Sequence, residues 1–244
     1  MEDYSVNNKN KVKEVLEKDG FIVIKNGIPL KEIELIQQYA SDYLNVNRSE
    51  KEILLAMENL ENLNKKAFFE FCTEMANIPP VLKIALNDKL FDLAKYILGI
   101  NEIYLTDWGV FFNKQSVKRL QYDWHQEKAY FPNAEQVITV WFPWLTNVSE
   151  KNGTMIMAKG GNKKIFNAER IPQKNGLTQM RIKDIDLSAY EKKHCELNLG
   201  DFVIFDLYSP HRTGFNSTGI PRTTMLFRYT DKVGKFNHGW VKSS

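Results

Sequence analysis

The chain has little cysteine. Its two cysteines, Cys72 and Cys195, stand far apart among 244 residues. That is too few for a disulfide framework and fits a reducing compartment. Long hydrophobic runs are also missing. No stretch approaches the roughly 18–20 apolar residues that span a bilayer, and the polar N-terminus MEDYSVNNKNKVKEVLEKDG has no apolar signal core. The expectation is a cytoplasmic protein with no membrane partner. An excess of one charge sign is absent as well. A net charge of +3, from 33 basic and 30 acidic residues, leaves no electrostatic footprint for nucleic acid. The basic pairs Lys163-Lys164 and Lys192-Lys193 read as solvated turns. There is no internal repeat and no low-complexity tract. What remains is ordinary for a globular chain, 43% hydrophobic and 26% charged. It is long enough to bury one sizeable core, so a single domain over 1–244 is expected.

The first hundred residues read as helices around one strand. Val12, Val15 and Leu16 form an apolar stripe that stops at Asp19-Gly20. Phe21-Ile22-Val23-Ile24 is a short β-branched run, hence a buried strand. Pro29 opens a helix with Ile33, Ile36, Tyr39, Ala40 and Tyr43 at helical spacing. Residues 49–62, 65–76 and 88–98 are further helices, with Pro79-Pro80 breaking the pattern and Gly99 closing the last. From about residue 101 to 231 the chain turns to strands. The candidates are Ile103–Thr106, Gly109–Asn113, Gln121–Glu127, Gln136–Leu145, Thr154–Ala158, Leu177–Ile182, Cys195–Leu197, Asp201–Asp206 and Arg222–Thr230. Short strands at this spacing indicate a sandwich or small barrel, with the helices packed outside.

The chemistry is concentrated in that second half. In His125-Gln126-Glu127, strand geometry puts residues i and i+2 on one side, so His125 and Glu127 can bind one metal while Gln126 faces away. His211 supplies a third ligand from a distant segment. Two histidines and a carboxylate on one face of an octahedral ion leave three positions open, as in the non-heme Fe(II) oxygenases. Arg222 carries a planar fork suited to gripping a carboxylate. An open metal site with a carboxylate receptor points to a 2-oxoglutarate-dependent oxygenase. Two other classes stay open. A zinc hydrolase can use the same three ligands, and a barrel that has lost catalysis can retain a binding role. His194 and His238 carry no supporting pattern and read as surface residues.

Several motifs then carry a resemblance. Asp19-Gly20-Phe21-Ile22-Val23-Ile24, Trp124-His125-Gln126-Glu127, Val140-Trp141-Phe142-Pro143, Asn152-Gly153-Thr154 and Gly200-Asp201-Phe202 occur in this order, followed by His211 and Arg222. Together they resemble the phytanoyl-CoA dioxygenase (PhyH-like) branch of the Fe(II)/2-oxoglutarate oxygenases, from about Asp19 to Thr230. The resemblance implies an α+β fold, a double-stranded β-helix (jelly-roll, cupin-like barrel) flanked by N-terminal helices. It implies that His125, Glu127 and His211 bind iron, and that Arg222 and Thr224 bind the distal carboxylate of 2-oxoglutarate. Trp141 matches a family tryptophan near the cosubstrate, or serves only as barrel core. The implied cofactors are Fe(II), 2-oxoglutarate and O2. The implied reaction hydroxylates an unactivated C–H bond of a small molecule while 2-oxoglutarate becomes succinate. Desaturation, epoxidation and cyclisation share the same oxidant.

The chain departs from the family pattern twice. Glu127 stands where the family usually has Asp, which lengthens the ligand arm by one methylene. Lys159-Gly160-Gly161-Asn162-Lys163 replaces a loop that often reads P-G-(S/T)-H-K. For the substrate, Lys128, Tyr130, Arg119 and Arg228 are the candidates. A cluster of Lys128 with Arg119 or Arg228 would suit an anionic or zwitterionic molecule.

Overall fold

The computed structural model describes residues 4–114, 122–172, 178–231 and 241–242. Expectations that rest on Arg119, Gln121, Leu177 and His238 lie outside them. The helical half contains α1 (Lys9–Asp19), α2 (Leu30–Leu44), α3 (Glu50–Leu63), α4 (Lys65–Asn77), α5 (Pro79–Ala85) and α6 (Asp88–Leu98), with β1 (Phe21–Ile24) between the first two. The Pro79-Pro80 break is also a start, because proline fits the first turn of α5, where no amide partner is needed. Gly20 ends α1 in the left-handed region, at φ 87°. A side chain there would meet Ser209 Oγ at 2.7 Å and Asn162 at 3.0 Å. Glycine therefore both turns the chain and lets it approach the segment that carries His211.

The strand half comprises β2 (Tyr104–Asn113), β3 (Val137–Pro143), β4 (Met155–Ala158), β5 (Glu169–Pro172), β6 (Thr178–Arg181), β7 (Lys192–His194), β8 (Phe202–Asp206), β9 (His211–Thr213), β10 (Arg222–Thr230) and β11 (Val241–Lys242). Six of the strands form an antiparallel sheet in the order β1-β8-β3-β10-β2-β11, and three form a smaller sheet, β7-β4-β9. Residues i and i+2 share a face, so β1, β3, β8 and β10 of the large sheet each serve two cores. Ile22, Ile24, Val140, Phe142, Ile204, Met225 and Phe227 face the helices. Val23, Trp141, Val203, Phe205 and Leu226 face inward, onto Met155 and Met157 of the small sheet. Two facing sheets with helices on one outer face are the jelly-roll arrangement. A third cluster, including Trp124, Ile156, Phe166 and Leu187, closes the other side of the small sheet.

Four expectations change. The strand expected over Cys195–Leu197 does not form, and Leu197 makes only a single bridge, to Val148. Among the described residues, the segment expected as a strand over Gln121–Glu127 forms no ladder: His125 makes a single bridge to His211, and Glu127 opens a short 3-10 turn, Glu127–Ala129. Lys192 and Lys193 are not on a turn but in β7, an edge strand of its sheet. Charged side chains suit an edge, because they oppose further pairing. The strands expected over Ile103–Thr106 and Gly109–Asn113 are one strand, β2, with a register shift against β10 between Arg228 and Tyr229.

Candidate functional site

His125 and His211 are joined by reciprocal backbone hydrogen bonds of 2.9 Å in each direction. That bridge brings two distant stretches of chain together and sets the imidazoles 4.2 Å apart, centroid to centroid. Each ring is oriented from behind. His125 Nδ1 donates to the Asp123 carbonyl at 2.7 Å, and His211 Nδ1 donates to the Ser209 carbonyl at 3.0 Å. A carbonyl only accepts, so both Nδ1 atoms carry the proton and both Nε2 lone pairs remain available. Gln126 is extended, at φ −113° and ψ 143°, so Glu127 emerges on the same side as His125 although no strand is formed. Its Oε1 lies 3.7 Å from His211 Nε2. The ligand atoms of His125, Glu127 and His211 all fall within 4.8 Å of one another, and all three residues are buried. Such a set can hold one divalent ion.

The protonation states suit a metal. Burial pulls both imidazoles below their usual range, and His211, next to the charge of His125, falls to about 3. Burial alone would raise the Glu127 carboxyl, but Arg228, His211 and His125 outweigh it and hold the group below the usual carboxylate range. At neutral pH the site therefore presents neutral imidazoles and an ionised carboxylate, the forms that bind metal.

Gln126 faces away, as expected, and does more than fill space. Its Nε2 donates to the carbonyls of Lys164, at 2.7 Å, and Tyr208, while its Oε1 accepts from the Phe166 amide at 3.0 Å. The departing loop after Ala158 works in the same way. Asn162 donates to the carbonyls of Leu16 and Glu17 and to Asp206, and Ser209 donates to the carbonyl of Gly20. The loop thus ties the end of α1 to the segment that carries His211.

On β10, Arg222, Thr224, Leu226 and Arg228 alternate inward. Arg222 is 5% exposed, stacks over the Trp141 ring at 5.1 Å, and leaves Nε and Nη1 buried with no partner. Thr224 Oγ1 and Thr139 Oγ1 are buried and unpartnered too. Burial without a counter-ion pulls the guanidinium down to about 9, so it stays cationic at neutral pH. A buried cation with idle donors is costly unless an anion completes it. A carboxylate that brings several oxygens fits this cradle. Trp141 belongs to the inner core and lies beneath the Arg222 guanidinium.

The substrate candidates separate. Lys128 Nζ donates to the carbonyls of Pro132, at 2.9 Å, and Ala134, at 2.7 Å, so it closes its own turn. Tyr130 stands edge-on to His125 at 5.5 Å, and its hydroxyl accepts from the Met180 amide. Arg228 reaches Glu127 and Asp107. Asp107 and Tyr122 went unnoticed in the sequence. The signal for Asp107 was a lone carboxylate within an otherwise apolar strand, which reads as a break when the bulge is not known. Both residues line a cavity of about 570 Å³ that runs past Phe68, Trp108, Phe111 and Leu226. Tyr122 also lies 5.7 Å from the His125 ring.

The family model of phytanoyl-CoA dioxygenase (PhyH) matches residues 16–224. No curated protein matches the chain. Similar solved structures include the apo form of ThoJ, a non-heme monooxygenase, with TM-score 0.63 and 19% identity, covering 90% of this chain and 76% of that one. The epimerase SnoN in complex with Fe3+, alpha-ketoglutarate and nogalamycin RO gives TM-score 0.61 and 14% identity, covering 92% and 84%. EctD from S. alaskensis, in its apo form, gives 0.63 and 15%, covering 94% and 79%. At these identities the likeness is one of fold.

Proposed function

Because the chain belongs to the phytanoyl-CoA dioxygenase family of Fe(II)/2-oxoglutarate oxygenases, we propose that it hydroxylates an unactivated C–H bond of a small molecule. The observation that carries this reading is Arg222, a buried cation with idle donors, on the same sheet interior as a His-Glu-His cluster. A zinc hydrolase has no use for such a cradle, and a decayed barrel has no reason to keep both halves.

In this reading His125, Glu127 and His211 hold iron, and Arg222 with Thr224 and the floor of Trp141 holds the distal carboxylate of 2-oxoglutarate. Held there, the metal with 2-oxoglutarate and O2 would supply the oxidant for the C–H bond, 2-oxoglutarate being converted to succinate and CO2. The chain's own residues do the rest. The carbonyls of Asp123 and Ser209 hold both imidazoles in the tautomer that exposes Nε2. Phe205, 4.5 Å from the His211 ring, and Leu226 keep water from the inner side. The whole chain acts as one oxygenase domain, with residues 1–100 supporting a β core over 101–231. Two free thiols, one of them buried, suit a cytoplasmic setting. Among the described residues, no helix is long and apolar enough to cross a membrane.

Tyr122, Tyr130 and Phe131 surround His125 and Arg228. Lys128 and Arg228 are engaged by protein oxygens. This favours a substrate with an apolar or aromatic body over the anionic or zwitterionic one expected from the sequence. The test is succinate formation by the Fe(II)-loaded protein, with and without candidate small molecules. Succinate above the background of His211→Ala is expected. Equal output from wild type and variant contradicts the reading.

A further inference from the structure

Arg222 and Arg228 lie on the same face of β10, yet their surroundings are opposite. Arg222 has no carboxylate within ion-pair distance among the described residues, whereas Arg228 has two. Its Nη2 donates to Glu127 Oε1 at 2.7 Å, and its Nη1 pairs with Asp107. The guanidinium also lies over the Phe131 ring at 5.3 Å, and the side chain is 12% exposed. The β2 bulge arranges this. Arg228 pairs in register with Asp107, but Tyr229 pairs with Leu105, so Thr106 is the extra residue. One extra residue reverses which face the strand presents. Leu105 then points into the helix-side core, while Asp107 meets Arg228.

We propose that Arg228 is a positioning residue for the Glu127 carboxylate. Clamped by Asp107, it fixes the ligand arm that is one methylene longer than the family's usual aspartate. The inference rests on Glu127 being a metal ligand, and it assigns Arg228 a role other than substrate contact. The longer arm has an additional rotatable bond, so a carboxylate tied at one oxygen loses freedom that aspartate never had. The clamp does not poison the site with positive charge. Asp107, Arg228 and Glu127 together carry one net negative charge, so the second carboxylate cancels the repulsion that Arg228 would exert on a cation. The guanidinium suits this task because its planar fork serves two carboxylates at once, which an ammonium cannot do in fixed geometry.

Positioning and simple repulsion predict opposite signs. If Arg228 merely opposes the cation, its removal tightens metal binding. If it positions Glu127, removal weakens binding. The experiment is Mn(II) titration of the full chain, followed by the electron paramagnetic resonance of free Mn(II). It uses wild type, Arg228→Met, Arg228→Lys, Glu127→Asp and the double variant Arg228→Met/Glu127→Asp, with the fold checked by circular dichroism. Arg228→Met is expected to weaken Mn(II) binding by about 10- to 100-fold, the usual effect of losing a partner behind a ligand. Arg228→Lys should recover part of the loss. Glu127→Asp should weaken binding in the wild-type background and do little more once Arg228 is gone, because the clamp is matched to the longer arm. Unchanged or tighter binding in Arg228→Met, or additive effects of the two substitutions, overturns the proposal. If Arg228→Met does not fold, Arg228→Lys decides, and wild-type affinity there overturns it. A wild type that binds no Mn(II) removes the metal reading itself and the proposal with it. Mn(II) binding in the wild type with the wrong sign in the variants removes only the clamp.

Discussion

At the scale of single residues, the site is made by burial. His211 is held at about 3 because burial, and after it the charge of His125, penalises the imidazolium. In the unfolded chain the same imidazole titrates near 6.5. The unfolded state therefore binds the extra proton between those values. The stability contributed by keeping His211 neutral is complete above about pH 6.5 and is lost as pH falls toward 3, by up to about 1.4 kcal/mol per pH unit. Glu127, also depressed, adds a loss of the same sign below about 4.5. Thermal melts of the metal-free protein should thus show a midpoint that falls from pH 7 to pH 5, with a flatter slope in His211→Gln. Parallel slopes would show that His211 is not held neutral by the fold. Most of these residues were legible as types in a pattern. His125, Glu127, His211 and Arg222 stand out because few other reasons place them in that order. The partner of Arg228 was not legible, because Asp107 reaches it only through a bulge that no local propensity announces.

At the scale of elements, the ligands sit on segments that barely qualify as secondary structure. Helices with a strong apolar stripe were readable to within a residue or two, as in α3, α4 and α6, since period and caps agree. The ligand segment was not, because its hydrogen bonds are made one at a time. Tyr122 accepts from the Thr213 amide, His125 bridges His211, and Trp124 accepts from the Ile182 amide. No ladder of its own holds it, so Gln126 does. Gln126→Ala would leave the Lys164 and Tyr208 carbonyls and the Phe166 amide without their partner. Leaving a buried group unsatisfied costs roughly 1–3 kcal/mol, and two of these three bonds are only part-buried, so we expect the low end, a loss of about 3 kcal/mol. For a chain of this size that lowers the melting temperature by roughly 6–12 °C. Metal affinity should fall with it, because residues 125 and 127 lose the anchor between them. A stable Gln126→Ala protein with unchanged Mn(II) affinity would show that the ligand segment is held elsewhere.

At the scale of the whole molecule, two facing sheets give the chain an interior in which one set of inward side chains makes core and another makes chemistry. Phe205, Leu226 and Met157 fill the inner core. Arg222, Thr224 and Arg228 lie on the same inward side, with polar atoms that only an ion, a ligand or a fixed counter-ion completes. Composition and periodicity indicated helices followed by a β sandwich or barrel. The pairing of β1 with β8, across most of the chain, is the kind of long-range contact that they cannot fix. This interior is expected to bind Fe(II) and 2-oxoglutarate together, the second through Arg222. Anaerobic titration of 2-oxoglutarate into the Fe(II)-loaded protein, followed by the absorption band of the complex, tests it most directly. A charge-assisted bidentate pair contributes on the order of 2–5 kcal/mol, judged by the effect of leaving one partner unpaired. Arg222→Ala should therefore raise the midpoint at least about tenfold, and Arg222→Lys should restore only part of it. A wild type that develops no band, or midpoints that do not move with Arg222, would contradict the account.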